Sequence, residues 1–159
     1  MELLDRVEEL ILRFTKQGKM VAFAESCTGG YVCHMFTNIS GSSNVFERGV
    51  VCYSNQAKIE LLGVNEEDIK THGAVSEPVG RQLAQGIWSN SGADVGIGIT
   101  GIAGPTGGTP EKPVGLVYIG FSSQEETFVK EFQFDANRIT FKKLVLEKVL
   151  ILLENYLEK

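Results

Sequence analysis

The sequence predicts an α/β protein, a single-domain three-layer α/β/α sandwich on a mixed, mostly parallel sheet. Three observations carry that reading. Segments with helical apolar spacing alternate with short apolar runs of strand type. Two of those runs end in glycine-bracketed segments, Glu25-Ser26-Cys27-Thr28-Gly29-Gly30 and Gly98 to Gly115. The chain has 159 residues, which fits one core, and no Pro/Ser-rich linker, charge block or internal repeat divides residues 1–159.

Leu3, Leu4, Val7, Leu10, Ile11 and Phe14 recur at helical spacing and predict an opening helix that stops near Gly18. Met20 to Ala24 reads as a buried strand. It delivers Glu25 and Ser26 to the strand's carboxyl end, where Gly29-Gly30 opens a helix through about Asn38. A second strand covers roughly Val45 to Tyr53, and Ser54 or Asn55 then caps a short helix carrying Ala57, Lys58, Leu61 and Leu62. Ser76-Glu77-Pro78 combines a capping hydroxyl, an early acid and an early proline, and predicts a helix to about Asn90 closed by Gly92.

Asp94 to Thr100 forms the next strand, whose alternation of glycine with Val and Ile predicts a central position with close neighbours. Val114–Ser122 and Thr127–Phe134 read as an antiparallel hairpin around Ser123-Gln124-Glu125-Glu126, which makes the sheet mixed. Ile139, Leu144, Val145, Val149, Leu152, Leu153 and Tyr156 mark a long closing helix over about 137–156.

Composition narrows the function. A formal net charge of −5 does not indicate a nucleic-acid groove. No apolar run approaches the length of a bilayer span, and the acids in Met1-Glu2-Leu3-Leu4-Asp5-Arg6 spoil a signal peptide, so no membrane partner and a cytoplasmic location are expected. Cys27, Cys33 and Cys52 are odd in number and lack C-x-x-C spacing, and His34 and His72 form no zinc pattern. Reduced thiols and no metal are the expectation.

The chemistry is expected in the loops. Ser26 fits either a helix cap or a nucleophile on a strand-to-helix turn, with the N–H groups of Thr28, Gly29 and Gly30 available to an oxyanion or a phosphate. A serine nucleophile needs a base, and Lys58, near the start of its helix, is the leading candidate. A solvated helix lysine is the plainer reading, because a base role requires burial or neighbouring positive potential to free the amine of its proton. Tyr53 at a strand end fits core packing with a wet hydroxyl. Cys27 is a stronger nucleophile in principle, but it has no activating histidine or acid and reads as a buried structural thiol. Gly101 to Pro113 holds four glycines and three prolines and lacks the G-K-[ST] of a nucleotide-triphosphate loop, so it reads as a partly stiffened lid.

These residues resemble the CinA C-terminal domain family, whose active members are nicotinamide-nucleotide amidohydrolases. The resemblance runs in order through Ala24-Glu25-Ser26-Cys27-Thr28-Gly29-Gly30, Gly41-Ser42-Ser43, Phe46-Glu47-Arg48-Gly49 and Tyr53-Ser54-Asn55-Gln56-Ala57-Lys58. It continues through His72-Gly73-Ala74-Val75-Ser76-Glu77-Pro78-Val79, Thr100-Gly101-Ile102-Ala103-Gly104-Pro105 and Lys112-Pro113-Val114-Gly115. The resemblance implies hydrolysis of the carboxamide of nicotinamide mononucleotide without metal or cofactor. Ser26 would be the nucleophile, Lys58 the general base and Tyr53 a hydrogen-bonding partner. Thr28, Gly29, Gly30, Thr100, Gly101 and Gly104 would line the substrate site, and Arg138 would reach the 5′-phosphate or organise the site from the closing helix.

The partner it implies is a small-molecule pyridine nucleotide, in a stand-alone, homo-oligomeric form of the family. A catalytically inactive nucleotide-binding or assembly module is the alternative. One departure stands out. Relatives often read Phe-x-Gly-Asp-Arg with a second arginine four residues on, whereas this chain has Phe134-Asp135-Ala136-Asn137-Arg138 and Lys142. A lysine cannot reproduce a planar two-pronged grip on phosphate.

Overall fold

A computed structural model describes residues 1–159 and arranges five strands in one sheet of order β2-β1-β3-β4-β5. The opening helix α1 (Leu3–Gln17) ends at Gly18 in the left-handed conformation (φ 64°). Strand β1 (Val21–Glu25) is buried throughout and leads through the Ser26–Gly30 turn to α2 (Tyr31–Thr37). A 3₁₀ turn at Ser42–Asn44 precedes β2 (Phe46–Val51). Helix α3 (Asn55–Leu62) starts where the Ser54 hydroxyl accepts the Ala57 N–H at 3.0 Å.

Helix α4 (Glu66–His72) has no counterpart in the sequence reading. Helix α5 (Glu77–Ser91) has Pro78 in its first turn and ends at Gly92. The Ser76 hydroxyl does not cap it, contrary to expectation; it donates backward to the Gly73 carbonyl at 2.8 Å and ties down the α4–α5 connection. Strands β3 (Val95–Gly101), β4 (Leu116–Ser123) and β5 (Thr127–Gln133) follow, then the closing helix α6 (Arg138–Leu157), capped by Asn137.

β1 pairs in parallel with β2 and β3, while β4 is antiparallel to both β3 and β5. Four strands therefore run one way and β4 alone is reversed, so the sheet is mixed as expected.

Alternation divides the strand residues between two cores. Phe23, Ile97, Ile99, Val117, Ile119 and Phe121 face α1, α2 and α6. Ala22 and Ala24 face α3, α4 and α5. The three layers follow from these two apolar faces.

Where α5 crosses the middle of the sheet, the facing strand residues are small. Ala24, Gly98 and Gly120 are aligned across β1, β3 and β4. A Cβ on Gly98 would lie 2.4 Å from the Ala84 nitrogen, and one on Gly120 would lie 2.2 Å from the Gly80 carbonyl oxygen. The helix backbone rests directly on the strands, which is the close approach that the glycine alternation predicts.

Chain order positions the site. From β1 the chain passes through α2 on one face to β2, then returns through α3, α4 and α5 on the other face to β3, on the opposite side of β1. The order reverses between β1 and β3, and a crevice opens at their carboxyl ends, where open α/β sheets bind ligands.

Candidate active site

Ser26, Cys27, Tyr53, Lys58, Thr100, Gly101, Gly104 and Arg138 line one cleft of about 380 Å³ at that switch point. Asn55, Ala74, Val75, Ile102, Ala103, Thr106 and Gly107 complete it. Larger hollows of about 470 Å³ at the start of α6 and about 420 Å³ between β5 and α6 exist. Neither brings a buried amine beside a serine, so chemistry rather than size distinguishes the cleft.

Ser26 is 7% exposed. Its N–H donates to the Ile99 carbonyl at 3.1 Å, and its carbonyl accepts the Gly29 N–H at 3.0 Å. Its hydroxyl faces the cleft and makes no hydrogen bond within the chain. The N–H groups of Cys27, Thr28 and Gly30 have no acceptor in the chain.

One expectation is corrected, because the Gly29 N–H is committed to the turn while those of Thr28 and Gly30 stay free; none of the three residues is in the lining of the cleft. Thr28 is fully buried, and its hydroxyl is satisfied by donating to Glu25 Oε1 at 2.6 Å. The Cys27 N–H, immediately after Ser26, is the free donor on a residue that lines the cleft.

Lys58 is 2% exposed, not a solvated helix lysine. Its Nζ donates to the Tyr53 carbonyl at 3.1 Å and pairs with no carboxylate. Burial pulls its pKa below the usual 10.5, against a smaller opposing pull from Cys52 and Cys27. No hydrogen bond joins Nζ to the Ser26 hydroxyl. Cys27 behaves oppositely to an activated nucleophile. Burial pushes its thiol up to about 12, so it stays protonated at neutral pH.

Arg138, the first residue of α6, spans the mouth. Its Nη1 donates to the Gly104 carbonyl at 2.6 Å and its Nη2 to the Tyr53 hydroxyl at 3.2 Å. This contact fixes one side of the Gly101–Pro113 loop, and the Lys112 ammonium reaches the His72 carbonyl on the other. Thr100 donates to the Ala74 carbonyl at 2.8 Å and holds the opposite wall. Lys58 and Arg138 are the only charged residues lining the cleft, and both are cationic. No three His, Cys, Asp or Glu side chains gather as a metal-holding group, and no helix is long and apolar enough to cross a membrane.

Glu25 was legible only as the residue before Ser26. It is wholly buried, and its carboxylate accepts the N–H groups of Val32 and Cys33 at 3.0 and 2.9 Å in addition to the Thr28 hydroxyl. An acid at a strand end just before a glycine-rich helix start was the available signal.

The fold and cleft define a switch-point α/β/α domain with a serine and a buried lysine at its carboxyl edge. Residues 4–157 match the family model described as the CinA C-terminal domain, and the chain belongs to that family. A putative competence-damage inducible protein of Caldicellulosiruptor bescii is 46% identical over 148 residues, covering 92% of this chain and 36% of the relative. A CinA-like protein of Kosmotoga olearia is 47% identical over 135 residues, covering 84% and 33%. The chain thus spans about a third of the length of these curated relatives.

The crystal structure of the competence/damage inducible protein CihA from Agrobacterium tumefaciens superposes with a TM-score of 0.94 at 38% identity, covering 99% of this chain and 96% of that one. The competence damage-inducible protein A of Klebsiella pneumoniae gives 0.95 at 28% identity, covering 99% and 98%.

Proposed function

We propose that this chain is an amidohydrolase that converts the carboxamide of nicotinamide mononucleotide to the acid, releasing ammonia. The observation that carries this reading is the buried, carboxylate-free Lys58 amine in the same cleft as the unbonded Ser26 hydroxyl. Its lowered pKa gives the amine a larger neutral fraction than a surface lysine has, so it is available as a base.

In this reading Ser26 Oγ attacks the amide carbon as its proton passes to Lys58. The carbonyl oxygen becomes an oxyanion held by the Cys27 N–H. Collapse breaks the C–N bond, the proton on Lys58 goes to the leaving nitrogen, and ammonia departs. Water, deprotonated by Lys58, then attacks the Ser26 ester; its proton returns to Ser26 Oγ and the carboxylate is freed. Binding favours an anion, since the lining carries Arg138 and no carboxylate. Arg138 at the mouth suits a phosphate and Tyr53 orients it, with the amide end toward Ser26.

The absence of a Ser26–Lys58 hydrogen bond favours the second reading, a nucleotide-binding module without turnover. Ammonia release from nicotinamide mononucleotide by chelator-treated protein separates the two. Turnover lost in Ser26→Ala supports the amidase, and saturable binding without ammonia supports the module.

A further inference from the structure

The geometry points to Glu25 as the positioning residue for the Ser26 turn, its side chain fixing the nucleophile's loop while its main chain fixes the segment that anchors Lys58. This rests on the reading of Ser26 as nucleophile. Glu25 ends β1 opposite Ile99 and Val51. It does not line the cleft, and the hydrogen bonds its carboxylate accepts are directed away into the start of α2, so it is not itself a base for the reaction.

No cation pairs with this buried carboxylate. Three short donors take that place: the Thr28 hydroxyl at 2.6 Å, the Val32 N–H at 3.0 Å and the Cys33 N–H at 2.9 Å. They fall on both sides of Gly29 and Gly30, whose φ angles of 61° and 98° are ones that other residues rarely adopt. Two glycines in succession leave a turn loose unless something outside it fixes both limbs. The Glu25 carboxylate does so, bonding to the limb before the glycines and to the helix after them.

The main chain of the same residue works in the other direction. The Glu25 carbonyl accepts the Cys52 N–H at 2.9 Å and lies 3.5 Å from the Cys52 thiol. The next residue, Tyr53, accepts Lys58 Nζ. Nucleophile and base are thus indexed to one residue, but through different atoms. A side-chain substitution at Glu25 disturbs the first connection and spares the second.

Glu25→Gln keeps the size and one carbonyl oxygen, but sets an amide NH₂ against a backbone N–H. Thr28→Val removes the hydroxyl bond alone and serves if the glutamine variant does not fold. Site-resolved amide exchange would be read at Ser26, whose N–H bonds to Ile99 and touches no Glu25 side-chain atom, with Ile97 as the core reference. Exchange at Ser26 is expected to accelerate about tenfold or more in Glu25→Gln while Ile97 is unchanged. The kcat for nicotinamide mononucleotide is expected to fall about tenfold or more with KM within about twofold, and Thr28→Val to fall between. The pH of half-maximal rate, set by Lys58, should not move. Unchanged Ser26 exchange in the folded variants overturns the proposal, as does faster exchange with undiminished kcat. If the wild type shows no turnover, the amidase reading fails, and Ser26 exchange still decides whether Glu25 fixes the turn.

Discussion

Lys58 Nζ donates to the carbonyl of Tyr53, five residues back and just outside the helix that carries the lysine, at 3.1 Å. The bond spans the start of α3, where Ser54 caps the first turn. It holds the amine at the cleft with one N–H committed. On the neutral amine the lone pair is then left for a substrate proton. Tyr53 meets Lys58 through its backbone and Arg138 at the cleft mouth through its hydroxyl.

The first prediction is a pH profile. Burial lowers the Lys58 pKa, so the reactive neutral amine accumulates at lower pH than for a surface lysine. Single-turnover rates should rise with pH through one inflection below 10.5 and then level. Lys58→Arg should lose about a thousandfold or more in rate, because a guanidinium keeps its proton throughout this range. Near-normal rates in the arginine variant would reduce Lys58 to an electrostatic role.

The same burial predicts a stability gain on removing the charge. Between the lowered folded pKa and the unfolded value, the unfolded chain binds more protons at this site than the folded one, so stability rises with pH across that window. Below the folded pKa the penalty is fully present. Lys58→Met should therefore be more stable by about 1 kcal/mol at neutral pH, with the gain shrinking as pH approaches 10.5. Urea unfolding at two pH values reads this directly. A less stable Met variant at neutral pH would contradict it.

Much of this fold is legible in the sequence where local rules act alone. Gly18 and Gly92 stop helices, Ser54 and Asn137 start them, and Gly96 and Gly98 announce the close packing of α5. Helix α4 escaped because its seven residues bury only Ile69 and show no apolar period. Its signal was the Asn65 cap followed by Glu66, Glu67 and Asp68. At the site, residue types pointed to Ser26 and Lys58, but burial of the amine and the inward turn of Thr28 depend on residues far apart in sequence. Which N–H groups remain free is likewise decided by the folded turn, as Gly29 shows.

Ser26 and Cys27 are adjacent, and their environments separate them. With its thiol pushed up to about 12 by burial, Cys27 is almost wholly protonated at neutral pH. Cys27→Ala should retain turnover within about tenfold, while Ser26→Ala should lose about a thousandfold or more and still bind substrate within about tenfold. Calorimetric binding beside an ammonia assay measures both. The reverse pattern would transfer the nucleophile role to Cys27.

The α5 interface yields a stability prediction independent of function. A Cβ at Gly98 or Gly120 meets backbone atoms at 2.4 and 2.2 Å, which no rotamer change relieves. Gly98→Ala and Gly120→Ala should each destabilise by at least about 2 kcal/mol, through displacement of α5 from the sheet. Urea midpoints should fall with the slope unchanged. A loss within about 0.5 kcal/mol would mean that the helix moves freely away from the strands.

The last prediction concerns Arg138, whose guanidinium already bonds to Gly104 and Tyr53 and has N–H donors left over. Because no carboxylate neutralises it, an incoming phosphate would meet an oriented, uncompensated cation at the cleft mouth. Arg138→Ala should raise KM for nicotinamide mononucleotide about tenfold or more, and leave hydrolysis of the phosphate-free riboside within about twofold. Arg138→Lys should recover only part of the loss, since a point charge keeps the attraction but cannot bridge Gly104, Tyr53 and phosphate together. Tyr53→Phe, which frees Nη2 but removes its orienting partner, should give a smaller rise in KM than Arg138→Ala. Comparing the two substrates separates phosphate recognition from support of the Gly101–Pro113 loop. If Arg138→Ala slows both equally, the arginine serves the loop through Gly104, and the phosphate assignment is wrong.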